Sequence, residues 1–266
     1  VISSKTNRKV RYVRSLYRRS VRHRERRFVV EGVRLIEEML QAGLEPALFF
    51  YTEEGTEGAR ARALVEVVIS SGVEVEVVSA DVMRFLADTR TPQGVLAVAG
   101  FPEASSAVSS FSLVLDGVRD PGNLGTILRT AEAAGVDLVE AVRGAVDVFS
   151  PKVVRGGMGA HFRLHVRWDR DWEEVERSLE GKQALLADPR TGIPYYEIDW
   201  TGPTALIVGG EARGAGREAR GVATQRVTIP MKGRVESLNV AVATSVLLFE
   251  AARQRREAGR AAEEGG

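Results

Sequence analysis

Cysteine is absent from this chain of 266 residues. Disulfides, thiolate metal sites and cysteine nucleophiles are therefore excluded, and the usage fits a cytoplasmic protein. Histidine is scarce, with three in the chain. His161 and His165 stand four apart, but the segment from His161 to Val166 alternates like a strand and no third ligand lies near, so no metal site is expected. There is no run of about 18 apolar residues, so no membrane-spanning helix is expected. The basic N-terminus is not followed by an apolar stretch, which argues against a secretory signal. Bulk charge is nearly absent too: 37 Lys and Arg against 36 Asp and Glu leave +1.

Charge distribution says more than the total. Between Val1 and Val30 there are eleven Lys or Arg and one acid, Glu25. Val10, Val13, Leu16, Tyr17 and Val21 approximate a helical stripe within it, so residues 1–27 read as a basic amphipathic helix. Such a surface suits phosphate contacts, with Arg18, Arg19 and Arg22 as the candidates; a solvated helix face is the alternative. Aromatic interleaving there is slight, so base stacking is not indicated.

Beyond this arm the pattern alternates. Strand-like runs fall at Phe28–Gly32, Ala47–Tyr51, Val73–Val78 and Gly94–Ala99, with helices at Val33–Gly43, Ala59–Ser70 and Ala80–Ala87 between them. This predicts a small α/β domain over 1–101. Small polar residues make 102–110 a linker. A second α/β domain, 111–266, follows. Its strands are expected at Leu113–Leu115, Val136–Ala141, Phe162–Val166, Ala184–Ala187, Ala205–Val208 and Val227–Met231. Strands followed by crossover helices predict a mostly parallel sheet, with ligands beyond the carboxyl ends of the strands. Helices are expected at Thr126–Ala134 and Ser150–Gly157, and the tail after Gln254 is expected to fray.

Three stretches at strand ends carry the chemistry. The first runs from Asp120 to Ala131 (DPGNLGTILRTA), the second from Leu206 to Glu211 (LIVGGE), and the third from Ile229 to Ala243 (IPMKGRVESLNVAVA). In the third, a polar loop leads to Ser237, a natural helix N-cap, and to an apolar helix with Leu238, Val242, Ser245, Val246 and Phe249 on one side. An ordinary strand-to-helix connection would look the same by itself. The glycines from Gly209 to Gly216 let backbone approach a ligand closely. Gly214, Gly216 and Ala219 also fit a G-x-G-x-x-A dinucleotide pattern, but the first glycine does not directly follow the strand and the next strand comes too soon. Asn239, at the start of an apolar helix, needs a polar partner.

Taken together and in this order, the three stretches resemble the motifs of the SpoU (TrmH-like) RNA ribose methyltransferases of the SPOUT superfamily. FVVEG at 28–32 and TPQGVLAV at 91–98 resemble that family's N-terminal substrate-binding domain, which is similar to a small ribosomal protein. The resemblance implies a C-terminal SPOUT-type parallel sheet with a trefoil knot, preceded by a small α/β domain. It implies S-adenosyl-L-methionine as cofactor, held by Gly209, Gly210, Ile229, Met231, Ser237 and Leu238. It implies 2′-O-ribose methylation of RNA, with Arg129 at the ribose and Asn123, Glu211, Ser237 and Asn239 as the other polar residues of the catalytic site. The N-terminal domain favours ribosomal RNA; transfer RNA and a non-catalytic role in RNA binding or ribosome assembly are the alternatives. A homodimer is expected, because the family builds its site at a dimer interface and the helix from Asn239 to Arg253 is more apolar than one domain needs.

Overall fold

The computed structural model describes residues 1–102, 109–211 and 214–264. The chain divides into two compact units: 1–102 with 149–162, and 103–148 with 163–266.

In the first unit the elements are α1 (Arg8–Ser15), α2 (Arg19–Glu25), β1 (Arg27–Glu31), α3 (Val33–Gln41), β2 (Leu48–Tyr51), α4 (Ala59–Ser70), β3 (Val75–Val77), α5 (Ala80–Leu86) and β4 (Val95–Gly100). The sheet has the order β1-β4-β2-β3, with β4 antiparallel to both β1 and β2 and β3 parallel to β2. Its core gathers Val10, Val13, Leu16 and Val21 with Phe50, Val82, Met83 and Leu96.

The expected single basic helix is two helices. Leu16 is fully buried and the Tyr17 hydroxyl donates to the Leu86 carbonyl at 2.6 Å, so tertiary anchors turn the chain there. Arg18 is extended and α2 restarts after it. Arg22 is only 4% exposed, and its Nη1 donates to the Leu16 carbonyl at 2.8 Å. It braces this turn, which corrects its assignment to a phosphate-binding surface. Arg18 and Arg19 remain exposed.

The second unit starts with β5 (Phe111–Asp116), α6 (Pro121–Ala133) and β6 (Leu138–Val142). The chain then enters the first unit as α7 (Pro151–Gly157) and a 3-10 turn at Ala160–Phe162. There the Phe149 ring stacks on Phe101 at 3.9 Å, and Arg155 pairs with Asp88 at 2.7 Å. Residues 149–162 therefore pack apart from the rest of the expected 111–266 domain. The chain returns through β7 (His165–Arg170), α8 (Trp172–Ser178), β8 (Gln183–Ala187), β9 (Ile193–Pro194), β10 (Thr204–Gly209), α9 (Arg217–Val222), β11 (Gln225–Thr228) and α10 (Val240–Glu264).

These strands form a seven-stranded sheet of order β7-β6-β5-β10-β8-β11-β9, and every pairing in it is parallel. As expected of a parallel sheet covered on both faces, its central strands are almost continuously buried. Several boundaries differ from the sequence reading. The expected linker 102–110 lies mostly outside the described residues, as do Ala212 and Arg213 of the glycine cluster. Phe162 belongs to the 3-10 turn, and buried His161 lies beside the Phe149 ring rather than on a strand. β11 stops at Thr228, three residues short of Met231, and α10 runs past Gln254 to Glu264 instead of fraying. In α10, i,i+3 and i,i+4 pairs of Arg253 with Glu250 and Glu257 support the extension.

Candidate active site

The carboxyl ends of β5, β10 and β11 lie on one edge of the parallel sheet, and each leads into one of the three motifs. After β5 the chain turns at Asp120, whose Oδ1 accepts the Asn123 N–H at 2.8 Å, with Pro121 in the first helical position. That cap starts α6 five residues earlier than the expected Thr126, because Asp followed by Pro is a stronger start signal than the intervening glycines are a stop. Asn123 thus lies in the first turn of α6.

After β10, two glycines allow a close chain crossing. A Cβ on Gly209 would lie 2.2 Å from the Ala215 nitrogen, and one on Gly210 would lie 2.2 Å from the Gly117 carbonyl oxygen. The first contact that excludes a side chain at either position is the protein's own backbone. The crossing is held by Asp116, whose Oδ2 accepts the Gly216 N–H at 2.6 Å, and by the Gly214 N–H, which donates to the Gly210 carbonyl at 3.0 Å.

This packing delivers Glu211 to the start of α6. Its carboxylate accepts the Asn123 amide Nδ2 at 2.9 Å and the backbone N–H groups of Arg119 at 3.3 Å and Asp120 at 3.4 Å. Burial by itself would raise the Glu211 carboxyl, but hydrogen bonds from the Asn123 amide and from backbone N–H groups outweigh it and hold the group below the ordinary carboxylate range. Asn123 accepts in turn, at Oδ1, from Asn239 Nδ2 at 3.0 Å. The three motifs are joined by this chain of side chains, Asn239 to Asn123 to Glu211.

Asn239 also caps α10. Its Oδ1 accepts the N–H of Ala241 at 2.9 Å and of Val242 at 3.3 Å. The expected cap, Ser237, is corrected: it is exposed in the loop before the helix and forms no hydrogen bond among the described residues. A second tie between α6 and α10 is the 3.2 Å contact of the Thr130 and Ser245 hydroxyls.

Arg129 is exposed on α6 and has no side-chain partner among the described residues. It shares a solvent-facing stripe with Thr126 and Ala133, and the structure does not bond it to the Asn239–Asn123–Glu211 chain. Ile229 and Met231 are half-buried, whereas Leu238 is 36% exposed. Across 229–238 the backbone forms no hydrogen bond with any described residue, so its N–H and C=O groups are available to a ligand.

Sequence reasoning missed Asp116, Arg119 and Asp120 as parts of this constellation. The Asp-Pro pair was a readable start signal for Asp120. The backbone N–H of Arg119 had no signal, since any residue supplies one. Among the described residues, no group of three or more His, Cys, Asp or Glu could hold a metal ion, and no helix is long and apolar enough to cross a membrane.

Comparison with known proteins agrees with this arrangement. Residues 7–97 match an MRM3-like substrate binding domain. Over 250 residues the chain is 33% identical to the 23S rRNA (guanosine(2553)-2'-O)-methyltransferase RlmP of Bacillus subtilis (strain 168), covering 93% of this chain and 97% of that protein. It is 32% identical over 306 residues to the mitochondrial rRNA methyltransferase 3 of Homo sapiens, covering 91% of this chain and 71% of that one. The AdoMet-bound rRNA methyltransferase from Sinorhizobium meliloti superposes with a TM-score of 0.83 at 30% identity, over 95% of this chain and 97% of that chain. Residues 110–249, which hold all three motifs, match the SpoU rRNA Methylase family, and the chain belongs to that family.

Proposed function

We propose that the protein transfers a methyl group from S-adenosyl-L-methionine to a ribose 2′-hydroxyl of ribosomal RNA. The observation that carries this reading is the hydrogen-bonded chain Asn239–Asn123–Glu211, which ties all three motifs together at the ligand edge of the sheet. The relatives, one named as a 23S rRNA 2'-O-methyltransferase and one as an rRNA methyltransferase, support the substrate class.

The residues fit the cofactor. Its amino-acid and adenosine parts need backbone donors and acceptors beside apolar walls. The free backbone of 229–238, with half-buried Ile229 and Met231 and with Leu238, supplies both. Gly209, Gly210 and Ser237 complete the set in this reading. When bound, S-adenosylmethionine supplies a methyl on a sulfonium centre, and the departing thioether is neutral.

A ribose hydroxyl is a poor nucleophile at neutral pH, so the protein must stabilise the negative charge that develops on its oxygen. A guanidinium stays protonated, so Arg129 acts by charge-assisted hydrogen bonding to that oxygen or to an adjacent phosphate, and the proton leaves to phosphate or water. The Asn239–Asn123–Glu211 chain fixes the start of α6, and with it the helix that carries Arg129.

Four further elements belong to this reading. Residues 1–101 form an RNA substrate-binding domain, with Arg18 and Arg19 on its phosphate-contacting face. The second domain carries a trefoil knot in this reading, supported by the match of residues 110–249 to the SpoU family. The protein acts as a homodimer, supported by the exposed apolar positions Leu238, Val242 and Phe249, the last two 50% exposed. The cytoplasm is its location, as the bacterial rRNA methyltransferase relative suggests.

The test is transfer of labelled methyl from S-adenosylmethionine to unmodified ribosomal RNA, with 2′-O-methyl mapping of the product. One ribose position modified by the wild type is the expected result. S-adenosylmethionine binding without transfer to any RNA would refute the proposal.

A further inference from the structure

The turn after β9 carries an aromatic side chain that neither the fold nor the chemistry above uses. β9 is the outermost strand of the seven-stranded sheet and runs parallel to β11, with Ile193 opposite Val227 and Pro194 opposite Thr228. It therefore ends at the same edge as β10 and β11. Neighbouring strands are about 4.8 Å apart, so the turn stands roughly one strand spacing from the start of the 229–238 segment.

The turn is fixed from several sides. The Glu197 N–H donates to the Pro194 carbonyl at 2.8 Å and closes it, and the Tyr195 N–H donates to the Thr228 carbonyl at 2.9 Å. The Tyr195 carbonyl accepts from the indole N–H of Trp200 at 2.9 Å, and Trp200 is fully buried. The Trp200 backbone N–H is held in turn by Gln254 of α10 at 3.0 Å. Tyr195 is half-buried and meets Tyr196 edge-on, with ring centroids 5.2 Å apart at 73°. Tyr196 itself is 55% exposed. A tyrosine on so firm a base offers a large contact surface and loses little freedom on binding.

Two arginines flank this strand: Arg190 in the connection from β8 to β9, and Arg226 on β11, which pairs with β9. Arg190 is exposed, and its guanidinium has no partner among the described residues. Arg226, 46% exposed, is steadied by Asp188 at 3.5 Å and by the Thr191 hydroxyl at 3.2 Å. The acidic neighbour of Tyr196, Glu197, is exposed and cannot itself take a phosphate, which leaves Arg190 and Arg226 as the anion-holding groups of this stretch. An exposed aromatic face with guanidinium groups on the adjoining strand and connection has the chemistry that holds a nucleobase and a phosphate of the same RNA strand.

We propose that Tyr196 is a stacking platform for an unpaired nucleobase of the RNA substrate, and that Arg190 and Arg226 hold the adjoining phosphate. This rests on the methyltransferase reading above and adds a specificity element to it. An aromatic face accepts any base, so the platform selects a single-stranded neighbour of the target ribose rather than a letter.

The experiment compares the wild type with Tyr196→Ala and Tyr196→Trp in two assays. One is methylation of ribosomal RNA with S-adenosylmethionine. The other is fluorescence titration with a short single-stranded RNA carrying 2-aminopurine, which is quenched on stacking. Tyr196→Ala should raise the KM for RNA about 5- to 150-fold, the loss expected for one base–aromatic stack. Its kcat, S-adenosylmethionine affinity and thermal midpoint should stay at wild-type values. Tyr196→Trp should keep both the low KM and the quenching. Unchanged KM and quenching in Tyr196→Ala would make the ring ordinary surface and overturn the proposal. A loss of S-adenosylmethionine affinity would overturn it in favour of a cofactor contact, and weakened self-association in favour of a subunit interface. A wild type that methylates no RNA would instead sink the enzymatic reading itself, and the platform with it.

Discussion

Asn239 does two jobs, and substitution can separate them. Its Oδ1 caps α10 by accepting from Ala241 and Val242, while its Nδ2 donates to Asn123. Removing both with Asn239→Ala should cost about 1 kcal/mol for the cap and about 1 kcal/mol for the lost side-chain hydrogen bond. At roughly 2–4 °C per kcal/mol for a chain of this size, the thermal midpoint should fall by about 4–8 °C. Asn239→Ser keeps a competent cap and loses the amide donor, so its midpoint should fall by only about half as much. Asn239→Asp is the sharper probe. A carboxylate caps a helix well, but it cannot donate to Asn123. Glu211 at the other end of the chain also only accepts, so whichever way the Asn123 amide turns, two oxygens face each other. This variant should keep most of its stability and lose methyl transfer. Scanning calorimetry and single-turnover methylation read the two effects independently. Equal midpoint losses for Asn239→Ser and Asn239→Ala would refute the capping assignment, and wild-type turnover in Asn239→Asp would refute the directional chain.

Arg129→Ala should lose on the order of 10²–10³ in turnover while S-adenosylmethionine still binds by calorimetry, and Arg129→Lys should rescue poorly because an ammonium lacks the planar fork. Near-wild-type single-turnover rates would contradict this role. Replacing Arg18 and Arg19 with Ala should weaken RNA binding and flatten its salt dependence by roughly one unit of slope per lost phosphate contact at most. Adding Arg22→Ala should instead lower the thermal midpoint, since that side chain is buried against the Leu16 carbonyl. The Glu211 carboxyl is held below its ordinary value, so its contribution to stability is present above that value and lost as pH falls through the depressed one. The midpoint difference between wild type and Glu211→Gln should therefore stay level from neutral pH down to about pH 4 and close only below it; closure near neutrality would reverse the sign.

Much of this architecture could be read from local pattern. Ala59–Ser70 has the same bounds in sequence and structure because Gly58 and Gly72 bracket a run whose buried residues follow the helical period. Of the seven parallel strands, β5, β6, β8 and β10 follow from apolar runs broken by turn residues; β7 (HVRWDR) and β11 (QRVT) carry little apolar pattern and lie offset from their expected bounds, and β9 was too short to see. The break between α1 and α2 was hidden because only the distant partner of Tyr17, the Leu86 carbonyl, explains it. In the candidate site, sequence singled out Asn123, Glu211 and Asn239, and their mutual bonds emerge only when strand ends meet. From the sequence Ser237 was the expected cap, and Asn239 was marked only as needing a polar partner. The choice fell to Asn239 because its second hydrogen bond, to Asn123, lies 116 positions away in the chain.

The passage of residues 149–162 through the first unit bears on how the protein is made. Phe101, Phe28 and Asp88 leave the ribosome well before Phe149, Phe162 and Arg155, their packing partners. The amino-terminal unit therefore waits, with an aromatic face open, until the first strands of the second sheet have been synthesised. A fragment ending at Pro102 would keep that face open permanently. Gene fusions or truncations that treat the chain as two successive cassettes would cut through an unfinished core.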